Sequence, residues 1–103
     1  MAMVFDILEE ERRRLLRLRQ QYQQQLSELP RGSPSRKRRW EREYLYLAYR
    51  NAGKVKFKYV GPVDSEAAKD VEAKVQRRRE LEKKLDQVEE NIEQIERGLR
   101  GKR

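Results

Sequence analysis

One stretch, Arg31–Pro62, constrains what this chain can fold into more than any other. It reads RGSPSRKRRWEREYLYLAYRNAGKVKFKYVGP and holds six of the chain's eight aromatic residues and ten of its 26 Lys and Arg. Runs rich in aromatic, β-branched and aliphatic residues favour strands. The sequence on either side has the opposite character. It is charged, poor in aromatics and spaced like a helix. Any fold for this chain must therefore join two helical arms through a small β unit.

The first arm ends at Pro30, because the residue before a proline, here Leu29, is pushed out of α geometry. A helix is expected over residues 4–28. It starts near Val4, or at Ile7 with Asp6 as its cap and Glu9 three residues on. Leu8, Leu15, Tyr22 and Leu29 recur seven apart, with Val4 and Leu18 at a second heptad position and Glu11 and Gln25 interrupting it. The second arm is expected as a helix over 64–99, capped by Asp64 or Ser65. Its seam, Leu81, Leu85, Val88, Ile92, Ile95 and Leu99, alternates four and three. Upstream, Lys74 and Arg78 fall on that seam and Val75 sits one step off it, so packing is expected to change there. Gly98 and Gly101 suggest fraying, with residues 100–103 as a loose tail.

These arms predict a single α+β domain over residues 1–103. Two long helices form an antiparallel coiled-coil-like hairpin, joined by a small antiparallel β-hairpin or three-stranded sheet. A shorter first helix would leave part of the second seam uncovered. A homodimer through Leu81, Leu85, Val88, Ile92 and Ile95 is therefore expected.

Charge sharpens the picture. The net charge is +8, and with 43% charged residues the chain has little material for a globular core. Acids and bases cancel in residues 1–30 and again in 64–103. Residues 31–63 hold ten bases and two acids, which is the whole excess. A positive balance confined to one aromatic segment points to a polyanion-binding surface. No cysteine or histidine is present, which removes thiolate and imidazole metal ligands and the usual general base near neutral pH. No glycine-rich phosphate loop or catalytic triad can be found. No cofactor, metal, small-molecule substrate or enzymatic activity is expected. No apolar run approaches a membrane span, and a cytoplasmic location is the expectation.

Within the central stretch, Gly32-Ser33-Pro34-Ser35 break helix. Arg36–Arg39 can be a first strand, an arm or a basic loop. Strands are clearest over Glu43–Arg50 and Lys54–Val60, with Asn51-Ala52-Gly53 between them. If Arg50 pairs with Lys54 across a three-residue loop, one face carries Leu45, Leu47, Tyr49, Val55, Phe57 and Tyr59, all buried. The other face then carries Tyr44, Tyr46, Ala48, Arg50, Lys54, Lys56, Lys58 and Val60. The row of lysines also suits protection of an edge strand.

The strings Leu29-Pro30-Arg31-Gly32-Ser33, Arg42–Arg50 (REYLYLAYR), Gly53-Lys54-Val55 and Tyr59-Val60-Gly61-Pro62 resemble a family of short archaeal and bacterial proteins classed as a domain of unknown function. The resemblance covers about residues 26–100 and implies the fold rather than an activity. A fainter similarity is to the small three-stranded DNA-binding sheets of tyrosine recombinases and some transposases. It implies DNA contact through Arg36, Arg38, Tyr44, Tyr46, Arg50, Lys56 and Lys58 on one face. No recombinase catalytic domain is present, so recombination is not implied.

The expected function is nucleic-acid binding, with DNA as the expected form. The expected contacts are Arg36, Lys37, Arg38, Arg39, Arg42, Tyr44, Tyr46, Arg50, Lys54, Lys56 and Lys58. Nothing in the sequence selects duplex over single strand. The alternative is a structural or adaptor protein whose helical seam binds partner helices.

Overall fold

The structure is a computed structural model that describes residues 2–101. In order it contains α1 (Ala2–Ser27), β1 (Ser33–Arg39), β2 (Arg42–Asn51), β3 (Lys54–Pro62) and α2 (Glu66–Arg100). The strands form one antiparallel sheet in the order β1-β2-β3. The expected α+β class, helical hairpin and three-stranded sheet are all present. Arg36–Arg39 resolves as part of a strand, and Lys102-Arg103 of the expected tail lie outside the described residues.

The chain packs as two compact units, α1 with α2 from Glu80 onward, and Leu29–Arg79. In the helical unit Leu15, Val88 and Ile92 form a buried cluster, with Leu16, Leu18, Tyr22 and Ile95 against it. Leu26 and Leu81 are also buried. α1 already spans Ala2 to Ser27, so Asp6 lies inside the helix and does not cap it. Gly98 lies within α2, and a Cβ there would meet the Leu8 side chain at 3.4 Å, so the glycine marks close helix approach and not fraying.

The helical unit places the residues of the expected seam. Leu81, Val88 and Ile92 are buried inside this chain, and Leu85 and Ile95 are half-buried. The surplus length of α2, residues 66–79, belongs with the sheet.

In the sheet unit, Ser65 caps α2 as expected. Its Oγ accepts from the Ala68 N–H at 3.2 Å, and its carbonyl accepts from the Lys69 N–H at 3.1 Å. The buried stripe of α2 here is Ala68 and Val75, one position off the heptad seam. Lys74 points instead to Asp70, at 3.0 Å, and Arg78 donates to the Leu29 carbonyl at 3.1 Å. Leu45, fully buried, and Leu47 supply the sheet's side of this core.

The β2–β3 register differs by one residue from the expected one. The loop is two residues, Ala52-Gly53, with φ of 53° and 78°. Positive φ at both central positions is the type I′ pattern, whose twist suits a hairpin. Asn51 therefore pairs with Lys54, Arg50 with Val55, Ala48 with Phe57 and Tyr46 with Tyr59. Opposed residues share a face, so a one-residue slip moves the whole β3 set across the sheet. Val55, Phe57 and Tyr59, expected in the core, are instead about half exposed at 53%, 49% and 54%. Of the six residues expected in the core, Leu45 and Leu47 are buried and Tyr49 is half-buried.

This register makes a stability prediction. Leu45→Ala should lose about 2–5 kcal/mol, the range for a buried leucine. Phe57→Ala should lose about 1 kcal/mol or less, the scale of an exposed cross-strand contact. Urea denaturation monitored by circular dichroism checks both. Equal losses would restore the buried Phe57.

Candidate nucleic-acid interface

The sheet has one face toward α2 and one toward solvent. The α2 side is marked by Arg36, whose guanidinium donates to both carboxylate oxygens of Glu72, at 2.9 Å and 3.1 Å. Glu72, by hydrogen bond first and charge second, holds Arg36 above the ordinary guanidinium range, and Glu43 adds to the effect. Residues in register with Arg36 include Leu45, and the alternate positions Pro34, Arg38, Glu43, Leu47, Tyr49, Lys56 and Lys58 share that face.

The open face is built from the intervening positions. β1 contributes Ser33, Ser35, Lys37 and Arg39; β2 contributes Arg42, Tyr44, Tyr46, Ala48 and Arg50; β3 contributes Val55, Phe57 and Tyr59. None of these is an acid. Four aromatics therefore stand together with four cations. Tyr59 lies against two rings, Tyr46 edge-on at 5.4 Å and Tyr44 at 6.2 Å between centroids. The Lys37 ammonium sits 3.9 Å from the Phe57 ring centroid and 5.2 Å from that of Tyr46.

The sheet thus divides the expected contact residues. Lys37, Arg39, Arg42, Tyr44, Tyr46 and Arg50 gather on the open face. Arg36, Arg38, Lys54, Lys56 and Lys58 take the alternate positions, and Arg36 is already bound to Glu72. The single face proposed from the recombinase similarity is therefore split, because Tyr44, Tyr46 and Arg50 are on one side and Arg36, Arg38, Lys56 and Lys58 on the other. Lys54, Lys56 and Lys58 are exposed along β3, an edge strand, where a row of cations opposes strand addition.

Sequence reasoning missed Phe57 and Tyr59 as surface residues. The available signal was the Ala52-Gly53 pair, since two-residue loops are the commonest hairpin connections. It also passed over Trp40. Arg39 pairs with Arg42, so Trp40-Glu41 is the β1–β2 loop, and Trp40 is 96% exposed with φ of 60°. Left-handed backbone is strained for a bulky side chain, and here no burial offsets it.

An antiparallel three-stranded sheet packed on the first half of a long helix, with a basic and aromatic outer face, defines the class of this protein. Residues 8–70 match the family described as "Domain of unknown function (DUF6788)". That is more than half of the chain, which belongs to this family. The match takes in most of α1, the sheet and the start of α2, and ends well short of the expected residue 100. Comparison with the curated proteins and with the solved structures returned no match. Among the described residues no helix is long and apolar enough to cross a membrane.

Trp40 gives a prediction in which stability rises. Trp40→Gly should stabilise the protein by about 1 kcal/mol, since glycine occupies this φ without the left-handed penalty. Thermal or urea denaturation reads it. A loss of stability would show that the indole has packing partners in solution.

Proposed function

We propose that this protein is a non-enzymatic nucleic-acid-binding module, with DNA as the expected ligand, and that it binds through the open face of its sheet. One observation carries the reading. Lys37, Arg39, Arg42 and Arg50 share that face with four aromatic rings and no carboxylate. Cations at this density neutralise phosphates and release counterions, while rings add contact to bases. The adaptor reading needs a free helical seam. Leu81, Val88 and Ile92 are buried in this chain's own hairpin, so the sheet face is the better-supported surface.

Fluorescence anisotropy of labelled oligonucleotides, titrated against salt, tests the proposal. Log affinity should fall linearly with log salt. Replacing Lys37, Arg39, Arg42 and Arg50 by methionine should flatten that slope by roughly 0.7–0.9 for each cation that touches phosphate. Replacing Arg38, Lys54, Lys56 and Lys58 should have the smaller effect. Absence of binding at low salt, or a larger effect from the second set, overturns the reading.

A further inference from the structure

We propose that the ligand of the open face is a single strand, held by stacking of unpaired bases on Tyr44, Tyr46, Phe57 and Tyr59. This rests on the nucleic-acid reading above and narrows it to a substrate class.

Ring position is the first argument. These rings stand on neighbouring strands, and strand spacing sets their separation. The centroid distances are 5.4 Å for Tyr46–Tyr59 and 6.2 Å for Tyr44–Tyr59, with the ring planes turned by 64° and 46°. Stacked bases in a duplex strand are only about 3.4 Å apart. Bases that stack on rings tilted and spaced in this way cannot stay parallel and in contact with one another, as a duplex holds them. A single strand parts them at little cost, because its bases are already free to splay.

Chemistry is the second argument. Reading a duplex needs hydrogen-bonding side chains that reach base edges in a groove. The centre of this face offers hydrocarbon rings and phenols, with Phe57 49% and Tyr59 54% exposed. Such a surface, flat and largely apolar at its centre, suits base faces. Every base has one, so the strand should be bound with little sequence preference.

Charge is the third argument. Arg39 and Arg42 lie at the β1–β2 hairpin end and Arg50 near the β2–β3 turn, so cations stand at both ends of the ring group. Lys37 sits over Phe57 in its centre. A backbone crossing the sheet would meet positive charge along its whole path. The same chemistry suits a DNA or an RNA strand, so both are test arms.

The experiment uses the full chain and labelled oligothymidylate, oligouridylate, and the duplex of oligothymidylate with oligoadenylate at equal length. Anisotropy titrations are run at the same salt. One or both single strands should bind roughly 10-fold or more tighter than the duplex. Phe57→Leu and Tyr46→Leu keep apolar bulk and remove the aromatic face. Each should weaken single-strand binding roughly 5-fold or more without changing the salt slope, because a base–ring stack is lost and no phosphate contact is. Circular dichroism confirms that both variants remain folded. Duplex binding that equals or exceeds single-strand binding overturns the proposal and leaves the nucleic-acid reading standing. So does unaltered single-strand affinity in both folded variants. Failure to bind any of the three at low salt overturns both.

Discussion

The identity of both sheet faces depends on one turn. Ala52-Gly53 closes the β2–β3 hairpin with two residues at positive φ, and that loop length sets every cross-strand pair up to Tyr46–Tyr59. A three-residue loop would turn Val55, Phe57 and Tyr59 toward α2 and Lys56 and Lys58 toward solvent. The sheet would then have a thicker core and a lysine-rich outer face. The shorter loop reverses this. Leu45 and Leu47 seal the core against α2, and three apolar β3 side chains are turned out. Beyond Tyr46 an irregularity restores the fit, since Leu45 pairs with Gly61 and Val60 is the extra residue. Gly61 is buried there with φ of 153°, and a Cβ would come within 3.1 Å of the Ser65 Oγ that caps α2. The end of the sheet and the start of the helix are thus one packed corner.

α2 serves the two units with different stripes. Its heptad positions bury Leu81, Val88 and Ile92 with α1, whereas Ala68 and Val75 serve the sheet. The change of register explains two charges on the extrapolated seam. Lys74 pairs along the helix with Asp70, and Arg78 reaches the Leu29 carbonyl, which α1 cannot satisfy past its end at Ser27. It also explains why the helix is longer than its partner, since residues 66–79 belong with the sheet.

Much of this was legible in sequence. Element order, the end of α1 before Pro30, the Ser65 cap and the shift near Val75 all follow from proline, capping and periodicity rules that act over a few residues. What escaped was decided by finer or longer-range facts. The loop choice between two and three residues turns on Ala52 adopting φ of 53°, which is uncommon for an alanine. Arg36 read as a free phosphate ligand because its partner, Glu72, is 36 positions away. Exposed to solvent, this pair contributes little to stability, but it takes one cation out of the basic cluster. Trp40 was legible as an aromatic and not as an exposed one, since neither its turn nor its φ is written in local composition.

The open face carries a cost that the fold does not require. Leaving Val55, Phe57 and Tyr59 half in water forgoes burial worth about 25 cal/mol for each Å² of apolar surface. A chain with 43% charged residues could have placed charges at these positions, as it does at Lys54, Lys56 and Lys58 on the same strand. Contiguous exposed rings also invite aggregation, and the cations among them, with the lysine row on the β3 edge, act against it. Lys37 makes the point most directly. Its ammonium stands over Phe57 and near Tyr46, keeping a positive charge among the rings. A cation in that place repels a second copy of the same face and attracts a polyanion that brings its own flat rings. Stability alone would remove the aromatics, and solubility alone would remove them too. Exposed aromatics beside positive charge are what the proposed binding of unpaired bases calls for.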